Sequence, residues 1–374
     1  MSILKVDTVS GIGTEGTVLD GDVTFDSLNY MTLPKGTTTQ SNAVSSGISS
    51  ATGAIRYNTD SNKMECFDGQ KWWEVSVSNP DLNGGVRGVF MGGGEPARAE
   101  IDYITISTAG NAQDFGDLTE AKYMSAAMSS RTRGLAAGGR PSSVNIDYIT
   151  IATTANAVDW GADVISDQTT GAGGCGNQTR GLDCGGGSGG TNHIYYIQLQ
   201  TTGTYTDFGD LATAVYYQGA ASSSTRGFNF GGDPATNVIQ YITIATLGNA
   251  EDFGDLTTPF FRNGAFANST RAIAHGGQDP SSDGLTMTEY ITMPTTGNSA
   301  DFGDLTVGGQ HASGTASPTR GIFFSRQQDG SPYAAVNVID YCEIATQGNF
   351  VDFGDPVDGK GQGAFAVSNG HGGL

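Results

Sequence analysis

Positive charge is scarce in this chain of 374 residues: 18 Lys and Arg stand against 38 Asp and Glu, a formal charge of −20. Nucleic acid and anionic lipid both need a basic face to displace their counterions, so neither is expected as a partner. Histidine is also rare, at His193, His275, His311 and His371, and no His-Glu-x-x-His, Gly-x-Ser-x-Gly or P-loop pattern occurs. The metalloprotease, hydrolase-elbow and nucleotide-binding readings therefore lack their minimum signature. Triads assembled from distant positions leave no such signature, so catalysis as such stays open. Cys66, Cys175, Cys184 and Cys342 fall at unrelated spacings without a Cys-x-x-Cys pair. They read as reduced, small apolar residues of a chain folded in a cytoplasm, not as a disulfide framework. No run of 18 apolar residues exists, and Met1-Ser-Ile-Leu-Lys-Val-Asp7 lacks a basic region followed by an apolar core. Neither membrane insertion nor a cleaved secretory signal is expected.

Glycine is abundant instead, at 57 residues, and only 15% of the chain is charged. Without a period such a composition reads as low complexity, but here it is periodic. One unit runs Thr-Arg-Gly, three mostly apolar residues, Gly-Gly, a variable loop, Ile-Asp-Tyr-Ile-Thr-Ile, a Thr/Gly/Asn turn and Asp-Phe-Gly-Asp-Leu. The opening arginine recurs at Arg87, Arg133, Arg180, Arg226, Arg271 and Arg320, in steps of 46, 47, 46, 45 and 49 residues. Apolar and polar residues alternate around Tyr103, Tyr148, Tyr196, Tyr241, Tyr290 and Tyr341, which is the period of a strand with one buried face. Small-residue stretches such as Gln218-Gly-Ala-Ala-Ser-Ser223 precede the arginines from Arg133 onward and suit strands that converge where lateral room is short. Four strands in about 46 residues is the size of one propeller blade.

The apolar positions leading to Gly92-Gly93, Gly138-Gly139, Gly231-Gly232 and Gly276-Gly277, then a tyrosine, then an aromatic about a dozen residues on, resemble the kelch repeat. Trp160 or a Phe replaces the usual Trp, and the sixth unit has Ser325-Arg326 in place of Gly-Gly. The resemblance implies an all-β chain with a six-bladed kelch-like β-propeller over residues 83–374. The first unit lacks a small-residue strand before Arg87 while an orphan one, Gly361 to Ser368, stands at the C-terminus. That segment is expected to complete the first blade and close the ring.

Residues 1–52 read as an extended attachment and oligomerisation segment, and residues 53–82 as a hairpin connector. In the connector Ile55 and Tyr57 alternate opposite Met64 and Cys66 across a Thr-Asp-Ser-Asn turn. The wording Gly53-Ala-Ile-Arg-Tyr-Asn-Thr-Asp-Ser-Asn-Lys63 resembles segments near the N-termini of tailed-bacteriophage fibre and virion structural proteins. That resemblance implies a virion tail-fibre or adhesin subunit, non-catalytic, homotrimeric, assembled in the host cytoplasm with other virion proteins and binding a host cell-surface glycan or protein. Two other classes remain: a kelch-type carbohydrate-active enzyme, for which a copper site of Tyr and His as in galactose oxidase is the model, and a protein-binding scaffold.

Among site residues, the six repeat arginines are expected to bond blade to blade, pairing with Asp117, Asp210, Asp255, Asp304 and Asp355. No cofactor is expected; calcium on the Asp-x-Gly-Asp carboxylates is a second reading of the same residues. Specific recognition is expected in the loops after Gly-Gly, where the units differ, with Arg98, Arg140, His193, Asp283 and Tyr333 as binding candidates.

Overall fold

The structure, a computed structural model, describes residues 33–39, 52–61, 63–74, 86–94, 96–141, 144–164, 170–281, 284–324, 326–328 and 334–374. The chain divides into two compact units, Met1–Asn79 and Pro80–Leu374. Described strands join almost wholly into four-stranded sheets.

In the first unit the strands Lys35–Gly36, Ile55–Asn58, Lys63–Phe67 and Trp72–Glu74 form one sheet in that order. The expected hairpin is present: Ile55 lies opposite Cys66 and Tyr57 opposite Met64. Its other face carries a buried cluster. Arg56 Nε donates to Glu65 Oε2 at 2.8 Å, Asn58 Nδ2 donates to Glu65 Oε1 at 2.7 Å, and the Arg56 guanidinium stands 4.9 Å from the Trp72 ring centre. Every charge in the cluster is met, which is the condition for burying one.

The second unit repeats one antiparallel design six times. Its sheets, each from first strand to fourth, begin with Ala126–Ser129, Gly173–Gly176, Gly219–Ser222, Ala265–Ala267 and Ser313–Ala316. The remaining sheet takes its first strand from the far end of the chain: Phe365–Ser368 pairs antiparallel with Arg87–Met91, with Val367 opposite Val89. We number this the first sheet. Second strands open on the repeat arginines, and third strands hold the repeat tyrosine half-buried, preceded by Ile-Asp in the first, second and sixth sheets. In the sixth sheet a hairpin of Arg326–Gln328 and Ala334–Val336 is inserted between second and third strands.

The core is not one mass but six clusters, each shared by consecutive sheets and the last by the sixth and first. Phe90 of the first sheet stacks on Phe324 of the sixth at 3.7 Å, and Phe266 of the fifth meets Phe323 of the sixth at 4.7 Å. Each such ring contributes roughly 2–3 kcal/mol by leaving water. The glycine that follows five of the six repeat arginines, Ala272 standing after Arg271, belongs to this packing: a Cβ on Gly321 would lie 1.9 Å from Phe266, and one on Gly181 2.3 Å from Met128. The first strand of one sheet thus seats a side chain on the second strand of the next.

Between sheets the chain buries basic residues. Lys122 Nζ lies 3.1 Å from Asp147, Lys360 Nζ 3.2 Å from Asp102, and Arg326 Nη2 2.7 Å from Asp340, all six side chains at most 3% exposed. Each acid is the Asp of an Ile-Asp-Tyr strand. Desolvation raises the Asp102 pKa against the attraction of Lys360, and lowers those of Lys122 and Arg326 against their own partners. Arg326 is the residue that breaks Gly-Gly in the sixth unit; its side chain supplies the cation that Lys122 and Lys360 supply elsewhere.

Candidate functional site

The repeat motifs first account for the joints between sheets. Each repeat guanidinium stands over the tyrosine of its own third strand, from 4.7 Å for Arg226 over Tyr241 to 5.4 Å for Arg133 over Tyr148. Each also donates through Nη1 to carbonyls of the next sheet: Arg180 to Ile244 and Ala245, Arg271 to Ile344 and Ala345, and Arg320 of the sixth sheet to Ile106 and Ser107 of the first. The ion pairs expected with Asp117, Asp210, Asp255, Asp304 and Asp355 do not form. Turn carbonyls lie nearer the flat guanidinium than those carboxylates, and among the described residues Arg320 is the one repeat arginine that pairs with an acid, Glu343 at 2.7 Å. Arg87 makes the same reach with one bond, to Ile151.

Those aspartates act through their backbones. The Asp255 carbonyl accepts from Ser299 N and its N–H donates to Asn298 Oδ1 at 3.1 Å; Asp117, Asp210, Asp304 and Asp355 repeat both bonds with the Gly/Ala-Asn turn of the following sheet. The glycine before each is held at φ near +150°, and a Cβ on Gly254 would lie 2.4 Å from the Gly297 carbonyl oxygen. In the second sheet Trp160 makes the joint differently, its indole Nε1 donating to Gly203 O at 2.9 Å. Among the described residues no three His, Cys, Asp or Glu side chains converge as metal ligands do.

With those motifs assigned to the frame, the non-repeating chemistry collects elsewhere. The six first strands stand round a common space, with a cavity of about 110 Å³ at their N-terminal ends and one of about 50 Å³ at their C-terminal ends. Chain residues 369–374 occupy the second end. Gly372 N donates to Ala267 O, His371 Nε2 lies 3.1 Å from Ser129 O, and Gly373 N donates to His371 Nδ1 at 3.1 Å. Those two bonds fix the neutral Nε2–H tautomer. His371 keeps part of its surface accessible, yet desolvation of the rest lowers its pKa to about 4.

At the open end each sheet presents one residue with left-handed backbone: Met124, Gly171, Tyr217, Arg262, His311 and Gly363, at φ from +55° to +69°. Among the described residues these four non-glycines are the only ones with positive φ. The cause is a chain of hydrogen bonds across the sheets: Met124 N donates to Gly363 O, Gly171 N to Met124 O, Tyr217 N to Gly171 O, Arg262 N to Tyr217 O and His311 N to Arg262 O, at 2.6–2.8 Å. Left-handed backbone costs an L residue about 1–2 kcal/mol, so the arrangement is held by its surroundings, as at many binding sites.

The side chains there interlock. Tyr217 covers Gly171, meets His311 edge-on at 5.2 Å and Tyr216 at 4.4 Å, and lies 5.9 Å from the Arg262 guanidinium carbon. Arg262 Nη1 donates to Gln310 Oε1 at 2.7 Å and Gln278 Oε1 at 2.9 Å; its Nε is buried with no hydrogen-bond partner. Burial, then Arg262 and Arg140, lowers the His311 pKa to about 3, so the imidazole is neutral at pH 7. Burial raises the Tyr217 hydroxyl pKa, against the pull of Arg140 and Arg262.

In five sheets the residue before the left-handed position bridges to the residue after Gly-Gly or, in the sixth sheet, after Ser325-Arg326: Gln362 to Gly94, Tyr123 to Arg140, Tyr216 to Asp233, Phe261 to Gln278 and Gln310 to Gln327. Of the expected binding residues, Arg140 therefore belongs to this mouth. His193 lies on the strand Thr191–Gln198, stacked on Tyr195 and 3.8 Å from Asp210, and Arg98 holds its loop through backbone bonds to Gly93 and Lys122. Asp283 and Tyr333 lie outside the described residues. The reading by motif passed over Tyr217, Arg262 and His311. Their signal was positional: Met124, Gly171, Tyr217, Arg262 and His311 each stand nine residues before a repeat arginine, and no two of them are alike. No protein-family model matches the chain, and no curated protein matches its sequence.

Proposed function

We propose that this chain is a virion structural protein of a tailed bacteriophage, a tail-fibre or adhesin subunit that binds a host-surface glycan or protein. In this reading the second unit is a six-bladed kelch-like β-propeller closed by Phe365–Ser368, and the first unit attaches it to other virion proteins as a homotrimer. The binding role is non-catalytic and needs no cofactor. One observation carries it: a frame repeated six times, with its joints made by the same residues, gathers non-repeating Tyr, Arg, Gln and His at one end while the chain's own last residues fill the other. A rigid frame bearing variable side chains at its rim suits recognition. The hairpin at Ile55–Phe67, built from the fibre-like wording, supports the attachment role.

Light scattering on the full chain is expected to give a trimer, and the labelled chain is expected to bind whole bacterial cells of some strains and not others. A monomer at micromolar concentration that binds no strain would refute the fibre reading.

A further inference from the structure

We propose that the open mouth around Tyr217 is a saccharide site specific for a carboxylate-bearing sugar, with Arg262 holding the acid group and Arg140 adding positive charge beside it. This rests on the binding-module reading and specifies its ligand.

Charge is the first argument. In a chain of net charge −20, two guanidinium groups act on the same pair of mouth residues, Tyr217 and His311. Among the described residues neither Arg140 nor Arg262 has a carboxylate within salt-bridge distance, whereas the buried cations Lys122, Lys360 and Arg326 each have one. One carboxylate, Asp233, lies against Tyr216 and also acts on Tyr217, so that it offsets one of the two guanidinium charges. His311 is neutral and Gln278 and Gln310 are amides, so the mouth carries net positive charge.

Shape is the second argument. Both amide oxygens fall on Arg262 Nη1, which fixes the plane of the guanidinium and leaves Nη2 to donate to an acid oxygen. The Tyr216–Tyr217 pair offers partly exposed aromatic surface beside it, the kind of face on which a sugar's C–H side rests. Size is the third. By a measure in which one water needs roughly 10–15 Å³, the cavity of about 110 Å³ accepts a carboxylate with a few waters and not a pyranose ring. The acid group therefore points down between the first strands while the ring stays above, on the tyrosines.

The test is calorimetric titration of the full chain with methyl glucuronide, methyl glucoside and inorganic phosphate, beside an array of neutral and acidic glycans. The expected result is glucuronide binding that Arg262→Gln weakens at least tenfold and Arg140→Gln severalfold, with no measurable glucoside binding; Arg140→Gln is expected to keep the parent's melting temperature, while Arg262→Gln, which loses its bonds to Gln278 and Gln310, melts lower but cooperatively. Tyr217→Phe, which keeps the aromatic ring, serves as a second variant expected to retain folding and most binding. Equal binding of glucoside and glucuronide would overturn the acid specificity, and phosphate binding without glucuronide binding would overturn the sugar. Array binding confined to neutral glycans would overturn this inference and leave the glycan-binding reading standing. Loss of all array and cell binding would remove both.

Discussion

Arg271 illustrates how one residue type does two jobs at each joint, lying over Tyr290 at 4.9 Å while Nη1 bonds two carbonyls of the sixth sheet. Replacement by Ala removes both and leaves the carbonyls unmet; we expect a loss of about 2 kcal/mol, read from the denaturant midpoint. Lysine, a point charge without the planar fork, is expected to recover less than half of it. Glycine replacements separate strain from crowding. Gly254→Ala meets the Gly297 carbonyl and is expected to cost about 2–4 kcal/mol, whereas Gly161→Ala, with open space around its Cβ, should cost about 1 kcal/mol from its positive φ alone. Asp183 is a third case. Burial raises its pKa to about 7, against the hydrogen bond from Tyr205. A carboxyl raised in the folded state stabilises it fully below the unfolded pKa near 4, and the contribution is lost as pH rises toward 7. Asp183→Asn keeps an acceptor for Tyr205 and is expected to be more stable than the parent at pH 8, by a few kcal/mol at most. Equal unfolding curves at pH 8 would contradict this.

At the scale of elements, the last six residues behave as a plug. His371 and His275 both accept a backbone N–H at Nδ1 and face a carbonyl at Nε2, so protonation would set two hydrogens against each other. Their pKa values fall to about 4 and about 3, and burial likewise lowers His311 to about 3. A depressed histidine pKa means that the unfolded chain takes up the proton first, from about pH 6.5 downward. Stability is therefore expected to fall between pH 6.5 and 4, with a slope of up to about 1.4 kcal/mol per pH unit for each ring. His371→Gln, an uncharged replacement able to donate and accept, should flatten one part of that slope in thermal melts across this range. The Asp-Phe-Gly-Asp element was legible as a repeat, but its work was not: the carboxylates looked like partners for arginine, while the structure uses the backbone of Asp255 and its counterparts. Periodicity marks a residue as structural without saying which of its atoms is used.

For the whole second unit, the first sheet depends on both ends of the sequence, since Phe365–Ser368 is its first strand and Lys360 neutralises Asp102 within it. A chain ending at Asp358 would leave Asp102 without its cation and Phe90 and Val89 without their neighbouring strand. It is expected to lose cooperative unfolding altogether, measured by urea titration of tryptophan fluorescence. A chain lacking only residues 369–374 should unfold cooperatively at a lower midpoint. If the shorter chain unfolds with the parent's midpoint and slope, the joint between the sixth and first sheets contributes nothing to stability.

The order of strands, their number in each unit and the pairing of the terminal small-residue segment with Arg87–Met91 were determined by the sequence, because a period of about 46 residues and an alternating apolar pattern have one economical packing. So was the hairpin at Ile55–Phe67, whose alternation and turn are local. The mouth was decided by tertiary structure alone. Tyr217, Arg262 and His311 are about 45 to 50 residues apart, carry no motif and come together only because equivalent positions of successive sheets stand side by side. Their backbone conformation is set by hydrogen bonds between sheets. Arg326 shows the same division: in sequence it is a broken Gly-Gly, and only the folded core reveals it as the cation for Asp340. Repetition specifies a frame through local pattern; chemistry at a shared end arises from long-range geometry, which no local pattern records.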